Sequence, residues 1–323
     1  LEAAAKKART SITINIAINH YFCAITHQIM FRPVLAADGH TYEEDAIREH
    51  LKTKNVSPLD GKTPISANAL FENRTVRNQI EEFVASGDCP DDIKEDYYAA
   101  KKAADMVQGE KLYKEGKVLE AANLGYPAAM GKMAFNYLLG AHGFEKDLAK
   151  GFEFATKAAN EGDEYGMFQL ALCYQNGLGV AKDHAAAISW YERCEDDPDA
   201  VYHNIGHIYR NGGYGVVRDY AKAVEYFRKA VDAGCEYGMS NLGLMYFNGQ
   251  GVAKSLVEAR RLYKQSADKN FALSQYHLGR MMIKGEGGVE DFSEGIAWID
   301  KAANQDYDPA KTYMAQAQEK LRS

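Results

Sequence analysis

Apolar positions change period three times along this chain. From Ser11 to Asn19, Ile12, Ile14, Ile16 and Ile18 alternate with Thr13, Asn15, Ala17 and Asn19, the period of two that predicts a half-buried strand. From Thr41 the spacing becomes helical, with Tyr42, Ala46, Ile47 and Leu51 on one face and Asn55 at the end. Thr41 with Glu44 three residues on reads as its capping box. A second helix is predicted over about 75–85, where Val76, Ile80, Phe83 and Val84 share a face ahead of Gly87. Between these helices Pro58, Gly61 and Pro64 enforce irregular backbone. After the turn-forming run from Ser86 to Asp92, which reads as a domain boundary, an alanine-rich helix over 93–108 is expected to join the two halves rigidly.

The remainder repeats in phase. Glycine recurs at Gly140, Gly177, Gly212, Gly249 and Gly285, and a large apolar residue at Phe154, Trp190, Tyr226, Leu262 and Trp298, about 36 residues apart. Met133-Ala134, Leu170-Ala171, Ile205-Gly206, Leu242-Gly243 and Leu278-Gly279 keep nearly the same period. Each unit therefore reads as helix, glycine loop, helix, with a small residue where helices approach closely. Such units stack into a solenoid with one concave surface.

Tyr174-Gln-Asn-Gly-Leu-Gly-Val180, Tyr246-Phe-Asn-Gly-Gln-Gly-Val252 and Ala221-Lys-Ala-Val-Glu-Tyr-Phe-Arg-Lys-Ala230 resemble the Sel-1-like repeats, relatives of tetratricopeptide repeats. The third unit departs from them, with an extra residue in Asn211-Gly-Gly-Tyr-Gly-Val216 and a shortened lead-in over Glu195–Asp199.

Composition sharpens this picture. The 323 residues are 46% hydrophobic and 26% charged with a net charge of -7, which suits a folded protein and argues against a general nucleic-acid binder. Cys23, Cys89, Cys173, Cys194 and Cys235 are scattered and never form Cys-x-x-Cys, so neither a disulfide framework nor a closed zinc site is encoded, and a reducing compartment is expected. No apolar run approaches the ~20 residues that span a bilayer, and no signal peptide is legible. Leu1–Lys6 has the composition of a designed helical spacer.

Chemistry concentrates in 21–65. Cys23-x-x-Thr26, Asp38-x-His40-x-x-Glu43-x-x-Ala46 and Ser57-x-x-Asp60 fit the ligand spacing of a RING finger, but hydroxyl, carboxylate and methyl groups stand where thiolates bind zinc. A structural zinc supplies roughly 10–16 kcal/mol, to be offset by hydrogen bonds at about 0.5–1.5 kcal/mol each and by core burial. Thr26, Asp38, His40, Glu43, Ser57 and Asp60 are the candidates for that polar scaffold.

Phe22-Cys-Ala-Ile-Thr26, Arg32-Pro-Val-Leu35, Gly39-His-Thr-Tyr-Glu43 and Ser57-Pro-Leu-Asp60 resemble the U-box family, the RING scaffold without zinc, over about 19–84. The resemblance implies a ubiquitin ligase that binds a ubiquitin-charged conjugating enzyme through two loops and the helix between them, with no covalent intermediate, no cofactor and no metal. Ile25, His50 and Pro58 would be the enzyme contacts. Lys62 would be the cation that bridges ubiquitin and the enzyme, in a turn that is one residue longer than in some members. Taken singly, Ile25 reads as core, Pro58 as a turn former, Lys62 as a solvated lysine, His40 and His50 as structural histidines, and Cys23 as a small buried hydrophobe.

The expected class is mostly α, a small α+β U-box followed by an α-solenoid. Its parts are 1–18, a linker or cloning scar with a strand; 19–86, the U-box; 87–108, a connecting helix; 109–127, a degenerate capping repeat; 128–307, five repeats; and 308–323, a capping helix. The expected function is ubiquitin ligation onto a protein substrate on the concave face, with a non-catalytic scaffold as the alternative; a homodimer is allowed. The location is expected to be cytoplasmic, and the pairing of the two families suggests delivery by an intracellular bacterium into a host cytosol.

Overall fold

The computed structural model describes residues 21–195 and 198–322, so the strand expected over Ser11–Asn19 lies outside the described residues. The chain forms two compact units, up to Gln108 and from Gly109 onward.

In the first unit, β1 (Pro33–Leu35) lies between β2 (Thr41–Glu43) and β3 (Phe71–Glu72), antiparallel to both. Val34 pairs with Tyr42 on one side and Glu72 on the other. Helix α1 (Glu44–Thr53) buries Ile47, and α2 (Arg74–Ala85) buries Ile80 and Val84, against Met30, Val34, Tyr42 and Cys23. This apolar cluster, with Tyr97 of α3 (Asp91–Lys114) added, is the core of the unit.

The capping box expected at Thr41 and Glu44 does not form. Thr41 and Tyr42 belong to a strand, α1 starts at Glu44, and its cap residue Glu43 makes no side-chain cap bond. Thr41 Oγ1 instead accepts from Asn73 Nδ2 at 2.9 Å, while Asn73 Oδ1 caps α2 at Val76 N, 3.2 Å away. One asparagine thus serves a strand and a helix start together.

In the second unit, α4 (Val118–Asn123) precedes five pairs of helices: α5 (Pro127–Leu139) with α6 (Leu148–Asn160), α7 (Glu164–Asn176) with α8 (His184–Tyr191), α9 (Pro198–Asn211) with α10 (Tyr220–Asp232), α11 (Glu236–Asn248) with α12 (Leu256–Asp268), and α13 (Ala272–Ile283) with α14 (Phe292–Ala303). Helix α15 (Asp308–Arg322) follows. Helix α3 continues to Lys114, and Leu112 near its end packs with Ala121, Ala122 and Met130.

Small residues sit where helices meet. A β-carbon on Gly206 would lie 2.7 Å from the Phe227 ring, and one on Gly279 would lie 2.5 Å from Gly295 O. Gly177 closes α7 in the left-handed region, and a β-carbon on Gly179, at φ +73, would fall 2.2 Å from Leu148 O. That glycine, like Gly251 and Gly287, keys its loop into the second helix of the preceding unit. The second helices are capped by Asp147, Asp183, Asp219, Ser255 and Asp291.

Of the large in-phase residues, Leu262 and Trp298 are buried. Phe154 and Tyr226 are half-buried and stack on Tyr137 and Tyr209, while Arg193 covers Trp190. Among the described residues no helix is long and apolar enough to cross a membrane.

Candidate functional site

Two loops and α1 carry the sequence candidates. The first loop is closed by an antiparallel bridge of Phe22 with Ile29 and by Cys23 N donating to Gln28 O at 2.9 Å. His27 takes φ 57 at the turn. Cys23 is buried, Ile25 is half-buried against the core cluster, and Thr26 is exposed. The second loop is closed by a bridge of Val56 with Pro64 and by Ser57 N donating to Thr63 O at 2.7 Å. Pro58 is half-buried, and Leu59 beside it stands 51% exposed.

Both loops converge on Tyr42, whose side chain is fully buried. Its hydroxyl donates to Asp38 Oδ2 at 2.6 Å, and the Ser57 hydroxyl hydrogen-bonds the same pair. Cys23 of the first loop lies close enough to Tyr42 to act on its ionisation. Burial pushes the Tyr42 phenol well up, and Asp38 adds to the effect. Burial also works against ionisation of Asp38. The hydrogen bonds from Tyr42, Ser57 and the His40 N–H outweigh it, and the carboxyl is held below its ordinary value.

The six scaffold candidates do not act as one network. Asp38, His40 and Ser57 form a cluster, with His40 N donating to Asp38 Oδ1 at 3.0 Å and Leu59 N to Ser57 Oγ at 3.1 Å. Glu43 works separately. Its Oε2 accepts from Phe31 N at 2.6 Å and Arg32 N at 2.9 Å, fixing the exit of the first loop. Burial pushes its carboxyl up against those two bonds. Among the described residues Thr26 accepts only from Gln28 N at 3.3 Å, a local turn that reaches neither cluster. Asp60 builds the second turn, accepting from Lys62 N at 2.7 Å and Thr63 N at 2.9 Å. The Thr63 hydroxyl and these two N–H groups hold its carboxyl down at about 2.

His50 Nε2 donates to Val56 O at 2.9 Å, tying the end of α1 to the second loop. Lys62 is exposed, and its ammonium makes no hydrogen bond or ion pair among the described residues. Three apolar or cationic groups, Ile25, Pro58 and Lys62, are therefore offered by loops that are hydrogen-bonded into shape. Among the described residues no group of three or more His, Cys, Asp or Glu side chains is placed to hold a metal ion.

Sequence reasoning passed over Leu59 and Tyr42. Leu59 carries a signal, a bare leucine inside a Ser-Pro-Leu-Asp turn; the spacing of apolar positions puts Tyr42 on a helix face, and its hydroxyl carries no sequence signature. A second surface was missed in the repeats. Tyr113, Lys132, Phe135, His142, Phe144 and Tyr165 line a cavity of about 770 Å³, within the ~300–1,000 Å³ common for ligand sites. Phe135 faces Tyr165 with ring centres 6.4 Å apart, and Tyr237 faces Phe271 at 4.8 Å, so aromatic pairs recur between the first helices of successive units.

Comparison with known proteins gives the same division. The U-box domain model matches residues 18–88, and the Sel1 repeat model matches 127–163, 164–193, 200–235, 237–271 and 272–307. U-box domain-containing protein 51 of Arabidopsis thaliana is 36% identical over 67 residues, 21% of this chain and 8% of that protein. WD repeat, SAM and U-box domain-containing protein 1 of Danio rerio is 39% identical over 62 residues, 19% of this chain and 13% of that protein. This chain therefore spans only a small part of the length of these curated relatives. A Sel1 repeat protein from Oxalobacter formigenes superposes with a TM-score of 0.55 at 29% identity, covering 64% of this chain and 86% of its own. A protective antigen present in uropathogenic Escherichia coli strains gives 0.55 at 26% identity, covering 69% and 49%.

Proposed function

We propose that this chain, which belongs to the Sel1 repeat family and carries a U-box domain at residues 18–88, is a ubiquitin ligase whose repeat array holds the protein to be modified. The observation that carries the proposal is the pair of loops closed on Tyr42, with Ile25 and Pro58 half-exposed and the Lys62 ammonium making no hydrogen bond or ion pair among the described residues. A charged conjugating enzyme docks on Ile25, Pro58 and the neighbouring Leu59. His50 holds the second loop to α1 beneath that surface. The Lys62 ammonium donates to ubiquitin and to the enzyme together and restricts the motion of the thioester. The substrate lysine amine then attacks the thioester carbonyl carbon, an isopeptide bond forms, and the enzyme's cysteine leaves as thiol. The ligase supplies orientation and forms no bond of its own.

The contact with the conjugating enzyme is small and transient, below about 1,200 Å². A polar scaffold in place of two metal sites makes activity independent of zinc. Homodimerisation through the first unit and action in a host cytosol belong to the same reading, the latter resting on the pairing of the two families alone.

Auto-ubiquitination with purified activating enzyme and a panel of conjugating enzymes tests the proposal. Ile25→Ala and Pro58→Ala are expected to abolish transfer while circular dichroism shows the fold intact, and full activity in both variants would sink the assignment of the loops. A scaffold without ligase activity has one observation in its favour, the His50 imidazole being engaged with Val56. That reading requires that no conjugating enzyme shift the NMR signals of residues around Ile25 and Pro58.

A further inference from the structure

Helix α9 turns three basic side chains, His203, His207 and Arg210, toward one side at spacings of four and three. The His203 and His207 rings lie 6.3 Å apart. Across from them on α11, Asn241 Oδ1 accepts from Arg210 Nη1 at 2.5 Å, Asn241 Nδ2 lies 3.4 Å from His203 Nδ1, and Tyr237 packs against His203 with ring centres 5.5 Å apart. On α8, His184 is 9% exposed with Nδ1 lacking a hydrogen-bond partner, and it lies near enough to act on His207.

One acid acts on this group of side chains, Asp199, which favours the charged form of His203. Arg210 is half-buried, yet among the described residues no carboxylate lies within ion-pair distance of it. Its other side-chain hydrogen bond runs from Nε to Asn211 Oδ1 at 3.4 Å, and among the described residues Nη2 has no acceptor. Asp199 and Glu236 line a cavity of about 300 Å³ together with His203 and Tyr237. Burial draws the His203 imidazole down to about 4, and His207 and Arg210 press in the same direction. A half-buried guanidinium held only by amides has given up hydration without gaining a counter-charge, which is the condition an incoming anion relieves. The chain carries a net charge of -7, so this cationic spot is a local exception and gives a partner a direction.

We propose that Arg210, His207, His203 and Asn241 form a carboxylate-binding subsite that takes an acidic side chain of a protein segment lying along the first helices of the repeats. The proposal rests on the repeat array holding a protein substrate, and it narrows that substrate to one with an acidic segment. The N–H groups on Arg210 Nη2, with the second one on Nη1, form an end-on fork for a carboxylate, and the imidazole N–H groups add donors, while Asn241, which donates to Tyr237 O at 2.9 Å, holds the guanidinium in place.

The test uses the full chain with a fluorescein-labelled poly-glutamate peptide and its poly-glutamine counterpart, read by fluorescence polarisation. The glutamate peptide is expected to bind at least about tenfold tighter. Arg210→Gln and, separately, Asn241→Ala are expected to remove that preference with unchanged circular dichroism, and Arg210→Lys is expected to restore part of it. Equal affinity for the two peptides, or a preference that survives Arg210→Gln, overturns the subsite. Displacement of the bound glutamate peptide by inorganic phosphate at lower concentration than by acetate overturns the carboxylate assignment. Lysine discharge from a charged conjugating enzyme by the unaltered chain is measured in parallel. Discharge without peptide preference refutes the subsite alone, and peptide preference without discharge refutes the ligase reading alone.

Discussion

Replacing Tyr42 with phenylalanine removes one oxygen from the point where the two loops meet. The ring stays, so apolar burial is unchanged, and the loss falls on Asp38. The Asp38 side chain is 3% exposed and receives the Tyr42 hydroxyl at 2.6 Å, the His40 N–H at 3.0 Å and the Ser57 hydroxyl. A hydrogen bond to a buried carboxylate contributes about 1.5–3 kcal/mol. A cost of about 2 kcal/mol corresponds to a roughly 30-fold fall in the protection of α1 amides against hydrogen exchange near neutral pH.

The sign of the pH dependence follows from Asp38. Its folded carboxyl is held below the ordinary value, so its stabilisation is present above about pH 4 and is lost as pH falls through the folded value. The gap between the two proteins should therefore close below about pH 4. Ubiquitin transfer should fall with the protection, because Ser57 and hence Pro58 lose their anchor. Equal protection near neutral pH, or a gap as wide in acid, would refute the account of Tyr42 as the post between the loops.

Three further expectations concern separate parts of the molecule. Lys62→Ala should slow single-turnover lysine discharge about tenfold, equivalent to about 1.4 kcal/mol of barrier, and Lys62→Arg should retain the rate; an unaffected alanine variant removes Lys62 from the mechanism. His277 stacks on Tyr263 with ring centres 5.1 Å apart and is drawn from 6.5 to about 4, by burial first and by Arg280 second. Its contribution is complete above the unfolded value and is lost as pH falls toward the folded one, about 1.4 kcal/mol by pH ~5.5; urea unfolding of His277→Phe should show that much less pH dependence. Gly179→Ala places a methyl group 2.2 Å from Leu148 O at φ +73 and should cost about 2–4 kcal/mol. Gly213→Ala, with nothing within 4 Å of the added carbon, should cost about 1–2 kcal/mol in the same denaturation series.

The repeats were legible because one physical requirement recurs in phase: the glycines at Gly177 and Gly249 close helices in the left-handed region, and Gly206 and Gly279 stand where a side chain would collide. The family of the first unit was legible from motifs such as Phe22-Cys-Ala-Ile-Thr26 and Ser57-Pro-Leu-Asp60, which resemble the U-box, and spacing alone gave only a RING-like pattern. What the spacing could not carry was pairing between distant residues. Thr41 looks like a helix cap until Asn73, far along the chain, claims its hydroxyl. Tyr42 alternates too briefly, in a strand of three residues, for a period of two to be separated from a helical one. The want of a counter-charge at Arg210 is likewise a property of what α11 and α10 bring beside it.

The keyed glycines also set how the repeat array shares its stability. At Gly179, Gly251 and Gly287 a β-carbon would lie 2.1–2.3 Å from a carbonyl oxygen of the preceding unit. At Gly215, beside the extra residue of the third unit, it would clear its nearest neighbour by 3.7 Å, and α8 and α9 pack less extensively than α6 and α7. In an array whose cooperativity passes only between neighbours, that joint is the weakest coupling, so the solenoid should melt as two blocks that part there. A substrate gripped on both sides of the joint would weld the blocks into one.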